Sequence, residues 1–261
     1  MNPALWIAKT GLDAQQTRMG VISNNLANVN TTAFKRGRAS FQDLMYQNLR
    51  QVGAQSSQNT QLPSGLNLGT GVRTVSTQKI FTQGNISQTG NSFDLAIDGR
   101  GFFQVLRPDG TQAYTRDGSF QINAEGRMVT NDGYELQPSI VLPPDAQSVT
   151  ISQDGLVSAQ LPGQAQASTI GAIQLADFAN PAGLEPIGDN QFLESGASGA
   201  PQIGTPALTG LGGLIQGALE TSNVNTVEEM VNMIETQRAY EMNSKAISTA
   251  DQMLQTLNRE L

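Results

Sequence analysis

The chemistry open to this chain is limited first by two residue types that it lacks. The 261-residue sequence contains no Cys and no His, which removes cysteine nucleophiles, disulfides, the usual zinc ligands and histidine acid–base catalysis. Carboxylates remain, and Glu185, Glu194 and several Asp residues could serve a cell-wall hydrolase. Such a reaction needs two carboxyl groups about 5–9.5 Å apart, one of them with a raised pKa. No spacing in the sequence singles out such a pair, so we predict no enzyme, no catalytic residue and no cofactor.

Calcium binding is a second possible use of the carboxylates, at the Asp-Gly pairs of the central region. There are five such pairs: Asp98-Gly99, Asp109-Gly110, Asp117-Gly118, Asp132-Gly133 and Asp154-Gly155. None belongs to a D-x-[DN]-x-[DN]-G-x5-E calcium loop. Asp-Gly between short apolar segments is typical of β-hairpin turns, because both residues tolerate positive φ. The pairs therefore predict hairpins and no metal site.

The strands that these turns should connect lie within residues 93–195. The predicted strands are Phe102–Leu106, Ala113–Thr115, Phe120–Ile122, Arg127–Val129, Tyr134–Leu136, Ser148–Ile151, Gly155–Ser158, Thr169–Leu175 and Gln191–Leu193. Short strands with turn residues at close intervals indicate an antiparallel β domain. We expect the Asp-Gly turns and the positions Phe102, Phe103, Phe120 and Ile122 to form one compact antiparallel unit, roughly residues 95–195.

Both ends of the chain carry seven-residue apolar repeats. The N-terminal repeat has two lines, Leu5, Leu12, Met19 and Leu26 in one and Ala8, Gln15, Ile22 and Val29 in the other. The C-terminal repeat consists of Met233, Tyr240, Ile247, Leu254 and Leu261, with Ala250 and Leu257 in the second line. Such a repeat predicts a coiled-coil seam. A helix cannot bury its own stripe, so the partner must be the other end of the chain or other copies of it.

Local signals suggest where the N-terminal helix begins and ends. Asn2 and Pro3 are typical of an N-cap and a first helical residue, and the helix is predicted to reach about Asn28. Gly11 and Gly20 lie inside it, and each costs roughly 1 kcal/mol relative to Ala. Their presence indicates close packing against another backbone, or a helix that folds only in the assembly.

The C-terminal helix is predicted from about Val227 to near Leu257. Thr226 and Glu229 have the spacing of a capping box, and Glu228 adds a second acid near the positive helix N-terminus. This long helix and its N-terminal counterpart predict one helical domain from residues 1–34 and 222–261.

The complete predicted fold is α+β. The terminal helices pair as a coiled-coil-like inner domain around which residues 35–92 form a connecting segment, 93–195 the antiparallel β domain and 196–221 a return connection. The connecting segment contains a long, polar loop at residues 46–63, which lacks apolar periodicity.

Charge constrains the partners of the chain. The net charge of −7 argues against nucleic acid, since that binding depends on clustered Lys and Arg. Residues 1–40 carry five basic residues against one acidic, whereas residues 220–261 carry seven acidic against three basic. Opposite charge favours pairing of N-terminal with C-terminal helices. Exposed ion pairs contribute only ~0–1 kcal/mol each, so two solvated faces with a chance imbalance are the alternative.

No membrane span or secretion signal is expected. The sequence has no run of about 18 apolar residues. Its first residues, MNPALWIAKTGLDA, lack a basic region followed by an apolar run, as a Sec-type signal peptide would have.

Three separated motifs resemble one family. SNNLANVNTTAFK at residues 23–35 resembles the N-terminal signature of bacterial flagellar axial proteins, the rod, hook and hook-associated group. SNVNTVEEMVNMIETQRAYEMNSKAISTADQMLQ at residues 222–255 is similar to their C-terminal signature. The central FDLAIDGRGFFQV and YTRDGSFQINAEGRMVTNDGYELQP, at residues 93–105 and 114–138, are also similar to rod and hook proteins.

The matching signature positions are Asn24, Asn25, Leu26, Ala27, Asn28, Phe34, Lys35, Asn223, Asn225, Arg238 and Tyr240. One position departs from the pattern, because Ala33 stands where the family commonly has Gly. If that position requires positive φ, Ala33 is strained.

The resemblance implies a structural subunit. Many copies would form a tube that crosses the periplasm and the outer-membrane rings as a drive shaft. The length of the chain and the segment Tyr46–Pro63 resemble members that build the distal rod, since hook members are longer and lack that loop. Implied partners are further copies, proximal rod and hook proteins, the outer-membrane and peptidoglycan ring proteins, and the flagellar type III export apparatus, which would replace a cleaved signal peptide.

Within this interpretation the polar loop is a brace between subunits, and its candidate contact residues are Tyr46, Arg50, Gln55, Gln61 and Pro63. Two other hypotheses remain. One is a proximal rod or hook protein of the same family, and the other is a monomeric, non-flagellar binding module that carries its β domain on a helical stalk.

Overall fold

The computed structural model describes residues 3–51, 55–57, 60–61, 64–163, 166–208 and 210–260. The chain forms two compact units. Unit 1 comprises the described parts of Met1–Ala27, Gly37–Gln78 and Asn225–Leu261, and unit 2 those of Asn28–Arg36 and Lys79–Val224. The predicted α+β class, with paired terminal helices and a central antiparallel β region, is confirmed.

Two long helices, α1 (Pro3–Ala27) and α2 (Thr226–Glu260), belong to unit 1. Gly11 of α1 lies beside Asn243, and Asn25 lies beside Glu229. Because the contacts run in opposite directions along the two helices, the pair is antiparallel. None of the described helices is long and apolar enough to cross a membrane.

Asn225 caps the N-terminus of α2. Its Oδ1 accepts hydrogen bonds from the backbone N–H groups of Val227 at 3.1 Å and Glu228 at 3.4 Å. The capping box predicted from Thr226 and Glu229 is therefore wrong by one residue, because Thr226 is already helical and Glu229 is buried. The predicted cap of α1, Asn2, lies outside the described residues.

The rest of unit 1 is an antiparallel ribbon. Its strands are β1 (Gly37–Asp43), β2 (Gln47–Arg50), β3 (Gln55–Ser57), β4 (Thr60–Gln61), β5 (Leu66–Leu68) and β6 (Val72–Lys79). They pair as β1 with β6, β2 with β5 and β3 with β4. The segment expected to be a loop, residues 46–63, is thus mostly strand where it is described. The side chains of β2 and β5 are exposed, so the sequence shows no alternation of apolar and polar residues.

Unit 2 is built from short strands. In chain order they are β7 (Ile86–Gln88), β8 (Leu95–Asp98), β9 (Phe102–Leu106), β10 (Gln112–Thr115), β11 (Phe120–Ile122), β12 (Met128–Thr130), β13 (Glu135–Gln137), β14 (Ser148–Ile151), β15 (Leu156–Gln160), β16 (Ser168–Ala172), β17 (Leu175–Asp177), β18 (Glu185–Gly188), β19 (Gln191–Leu193), β20 (Gln202–Gly204), β21 (Gly213–Gln216) and β22 (Ala218–Glu220), with a 3-10 turn at Pro181–Gly183.

The main sheet of unit 2 has the strand order β11-β12-β13-β9-β10-β19-β18, and β17 pairs with both β9 and β20. Strands β14, β15 and β16 form a second sheet. β21 pairs with β8, and β22 pairs with β7. Residues 79–92 and 196–221, which we expected to be connections, therefore contribute strands to this unit.

Two apolar clusters hold unit 2 together. Phe103 and Phe120 belong to one cluster, and Phe102, Tyr114 and Phe178 to the other. Phe102 and Phe103 serve different clusters because successive strand residues point to opposite faces. Ile122 belongs to the same antiparallel sheet but to neither cluster. It is 40% exposed, since it ends β11, the edge strand of the sheet.

The Asp-Gly turns divide into two groups. Three of the five close hairpins between paired strands, at Gly110, Gly133 and Gly155, with φ of 80°, 85° and 84°. The predicted hairpins at Asp98-Gly99 and Asp117-Gly118 are wrong. Asp98-Gly99 connects β8 to β9 and Asp117-Gly118 connects β10 to β11, and in neither case are the two connected strands hydrogen-bonded to each other. Gly118 is instead needed for close approach, since a Cβ there would clash with the carbonyl oxygen of Leu95.

Candidate assembly site

The nominated carboxylates form no evident reaction centre. Glu185 and Glu194 are both exposed, on β18 and just after β19. In the part of the chain that the structure describes, no group of three or more acidic residues is placed to hold a metal ion. The candidate functional features are instead the surfaces of the terminal helices and a buried cluster of charged side chains.

Small and polar residues form the contact between the helices of one chain. On α2 the contact recurs every seventh position, at the buried residues Glu229, Thr236 and Ala250 and at the half-buried Asn243. Gly11 of α1 packs against this line, since a Cβ there would lie 3.2 Å from Nδ2 of Asn243. Gly11 is thus closely packed, although the neighbouring atoms belong to a side chain and not to another backbone. Gly20 has open space, because no other atom lies within 4 Å of where its Cβ would be.

The predicted apolar lines run beside this contact and do not form its centre. Ile22 is buried, whereas Leu5, Leu12, Met19, Leu26, Val29, Met233 and Ile247 are half-buried and Tyr240 and Leu254 are 40% and 38% exposed. The helices approach each other along small side chains, which displaces the large apolar residues to the flanks. Much of the predicted seam is therefore not covered by the other helix of the same chain.

The opposite side of α2 is apolar over its first turns and mixed in character further along the helix. Its residues Val227, Met230, Val231, Ile234, Met242 and Met253 are each at least 50% exposed. At about 100° per residue, the first four lie on the side of the helix away from Thr236, whereas Met242 and Met253 lie on its flank, roughly 100° and 80° from Asn243. We call these six apolar residues the outer face of α2, and the exposed charges of Arg238, Glu241 and Lys245 lie among them. The first four follow the spacing i, i+3, i+4, i+7, which is typical of a buried helix face. The heptad analysis missed this face, although its spacing is visible in the sequence.

The residues predicted to act as a brace are only partly described. Tyr46 and Arg50 are exposed. In the ribbon, Gln55 is the register partner of Gln61, and Pro63 lies outside the described residues. Apolar side chains are also exposed along the ribbon, at Met45, Leu49, Leu66 and Leu68.

A cluster of three buried charges lies in unit 2, and we call it the junction. Lys35 Nζ lies 2.5 Å from Glu220 Oε1, and Arg116 Nη1 lies 3.2 Å from Glu220 Oε2. All three side chains are at most 5% exposed. Burial lowers the pKa of Lys35; Glu220 opposes this shift, and Arg116 adds to it. The junction thus contains two cations for one carboxylate.

Backbone groups complete the junction. Lys35 Nζ donates to the carbonyl of Thr82 at 2.9 Å, and Arg116 Nη2 donates to that of Gly99 at 2.7 Å. The N–H of Gly84 donates to Glu220 Oε1 at 2.8 Å. The charges therefore connect chain segments that are distant in sequence. The sequence indicated Lys35 only as a signature residue, and it gave no sign of Arg116 or Glu220.

Two signature asparagines also join chain segments. In unit 2, Asn223 Oδ1 accepts from the N–H of Arg36 at 2.7 Å, and Nδ2 donates to the carbonyl of Ile80 at 2.8 Å. In unit 1, Asn25 exchanges hydrogen bonds of 2.7 and 3.0 Å with the backbone of Gly37. Asn25 thus ties α1 to the start of β1 within unit 1, and Asn223 holds two segments of unit 2 together.

The other signature positions are more varied. Phe34 is buried, Asn28 and Leu26 are half-buried, Asn225 caps α2, and Asn24, Ala27, Arg238 and Tyr240 are exposed. Ala33 has φ of 57°, in the left-handed region that costs a non-glycine residue about 1–2 kcal/mol. Its N–H donates to the carbonyl of Glu220 at 2.8 Å, which holds this conformation.

Family comparisons match the same three regions. "Flagella basal body rod protein" matches residues 5–35, "Flagellar hook protein FlgE/F/G D1 domain" matches residues 96–159, and "Flagellar basal body rod FlgEFG protein C-terminal" matches residues 215–260. The helical ends and the β region between them thus define a flagellar axial protein.

Relatives of full length narrow this class. A protein of Buchnera aphidicola subsp. Schizaphis graminum is 60% identical over 99% of this chain and 100% of its own length. Proteins of Caulobacter vibrioides and Bacillus subtilis are 51% and 38% identical, each over 98% of both chains. All three are named flagellar basal-body rod protein FlgG. The chain belongs to the family of flagellar basal-body rod proteins.

Proposed function

We propose that this chain is a structural subunit that polymerises into the tubular distal rod of the flagellar basal body and transmits torque from motor to hook. The names of its relatives support a place in the rod. The outer face of α2 carries the proposal, because Val227, Met230, Val231 and Ile234 expose a continuous apolar surface on the side of the helix away from α1. Exposed apolar residues at this spacing are typical of a helix face that another surface covers in the working assembly.

The occupant of that face is a further copy of the chain. A second apolar surface lies beside the contact between the helices. It consists of the partly exposed seam residues, such as Leu12, Met19, Tyr240 and Leu254. Both surfaces belong to unit 1, so the helices form the inner layer of the tube. The ribbon, with exposed Tyr46 and Leu49, braces neighbouring copies.

The place of the rod implies its other partners. Proximal rod and hook proteins adjoin its ends, the peptidoglycan and outer-membrane rings surround it, and the flagellar export apparatus delivers the subunits. The chain performs no catalytic step in this role.

Ile234→Asp tests the proposal. Ile234 is exposed in the single chain, so the variant should fold normally. In the polymer it would bury an unpaired charge, which costs several kcal/mol. We expect loss of rods and of swimming, and the same from Leu254→Asp at the seam.

Ile203→Asp is the matched control, because Ile203 is equally exposed but lies on β20 of unit 2. We expect this variant to swim. Normal rods in cells with Ile234→Asp would contradict a buried outer face, and equal loss of motility in both variants would show that the defect is not specific to the helix.

A further inference from the structure

Methionine is the oxidisable sulfur of this chain, and its placement is uneven. The sequence has eight Met and no Cys. Three of the six residues on the outer face of α2 are methionines, namely Met230, Met242 and Met253, which are 55%, 67% and 58% exposed. Met128 is 1% exposed within the core of unit 2. The same sulfur chemistry is thus accessible in unit 1, where Met45 is 88% exposed as well, and shielded at Met128 of unit 2.

We propose that Met230, Met242 and Met253 form an oxidation-sensitive site that controls whether a free subunit can polymerise. This inference rests on the proposed function, because it requires the outer face of α2 to be buried between copies. The reactant is a peroxide. Once a subunit is incorporated, its neighbours cover the three sulfurs and protect them.

The chemical step is balanced with hydrogen peroxide as the oxidant. The thioether sulfur attacks one peroxide oxygen, the O–O bond breaks, and an S–O bond forms. The proton on the transferred oxygen moves to the second oxygen, which leaves as water, so that sulfur loses two electrons and peroxide gains them. The product, methionine sulfoxide, is polar and chiral, and methionine sulfoxide reductases reverse the reaction.

The position of the three residues determines the consequence. Each sulfoxide oxygen is solvated in the free chain, where the outer face is exposed, so oxidation leaves the fold intact. In the polymer the oxygen would be buried against apolar side chains without a donor, which is unfavourable. The modification therefore acts on assembly and not on folding.

The test begins with full-length chain treated with dilute hydrogen peroxide. Peptide mass mapping should show a gain of one oxygen at each of the three sites while Met128 remains unmodified. Polymerisation is then followed by sedimentation velocity over a range of chain concentrations, with fragments of polymer as seeds. We expect the concentration for half-maximal assembly to rise about tenfold or more, equivalent to about 1.4 kcal/mol or more.

Leucine variants identify the responsible residues. The triple variant Met230→Leu, Met242→Leu and Met253→Leu preserves volume and apolarity, and we expect it to polymerise equally well before and after peroxide. Met45→Leu, which changes an 88% exposed methionine of unit 1 that lies outside α2, should remain sensitive. Reductase treatment of the oxidised parent chain should restore assembly.

Three outcomes would overturn the inference: unchanged assembly with all three sulfoxides formed, equal peroxide sensitivity of the triple variant, or faster oxidation of Met128 than of the three sites. An untreated chain that never polymerises, with or without seeds, would contradict the proposed function. The mass map would still measure whether the three sulfurs are selectively oxidised.

Discussion

Replacing Glu220 with Gln should destabilise unit 2 strongly. The amide preserves the size of the side chain and an oxygen that accepts from the N–H of Gly84. It removes the one negative charge of the junction, so that Lys35 and Arg116 are left buried without it. Breaking a buried ion pair from one side typically costs about 3–5 kcal/mol.

The loss of stability in Glu220→Gln should become smaller as the pH rises. Without Glu220, the attraction that opposes the lowered pKa of Lys35 is gone, so the pKa falls further below its ordinary value of 10.5. The unfolded chain then binds more protons than the folded chain between the folded pKa and 10.5. Stability rises with pH across that window, and the deficit of the variant should shrink from pH 7 toward pH 10.

Hydrogen exchange of the β9 amides, measured by mass spectrometry in increasing urea, reports the unfolding free energy of unit 2 without interference from the helices. Lys35→Met serves as the second arm of a double-mutant cycle. If the junction acts as a charge cluster, the double variant should lose less than the sum of the two single losses. A change below about 0.5 kcal/mol for Glu220→Gln, or additive losses, would refute the reasoning.

Two further predictions concern a buried acid and the ribbon. Burial, with the nearby Asp132 and Asp94, raises the pKa of Asp117, so Asp117→Asn should stabilise the chain at pH 7, with an advantage that shrinks as the pH falls through the folded pKa of the parent. Urea midpoints at several pH values would check this, and a constant difference would contradict it. Deleting residues 46–63 should leave a polymer that still forms but bends more easily, because the exposed surface of β2 is lost and β5 loses its pairing partner. Persistence lengths from electron microscopy would measure this, and equal rigidity would show that straightness comes from the helices alone.

Local signals predicted the elements of this fold well. Phe102–Leu106, Phe120–Ile122, Ser148–Ile151 and Gln191–Leu193 have the bounds that the sequence indicated. Turn chemistry acts over a few residues, so it can be recognised in a single sequence. The ribbon was missed for the opposite reason, since strands with two exposed faces carry no period-two pattern.

The junction could not be predicted because it is entirely non-local. Lys35 and Glu220 are 185 residues apart in sequence, and Arg116 and Glu220 are 104 apart. A lone Lys, Arg or Glu between strands looks like any solvated charge. Only the fold shows that these three are buried together.

The helix register was obscured by overlapping patterns. The heptad of Met233, Tyr240 and Ile247 is conspicuous because its side chains are large, yet the chain packs α1 along Thr236 and Asn243. A pair of helices joined through small and polar residues gains little from apolar burial. Its large side chains are left for contacts outside the chain.

This division has a consequence for how copies associate. Burying a half-exposed Val, Ile or Met contributes about 1 kcal/mol, so the six residues of the outer face of α2 supply about 6 kcal/mol. Association costs about 4–15 kcal/mol in lost translational and rotational freedom. One contact through this face is therefore too weak to hold two copies together. A subunit that also contacts the partly exposed seam residues and the ribbon of its neighbours gains several contacts. It still loses its translational and rotational freedom only once. The free chain can thus remain monomeric until a growing end offers several neighbours at once.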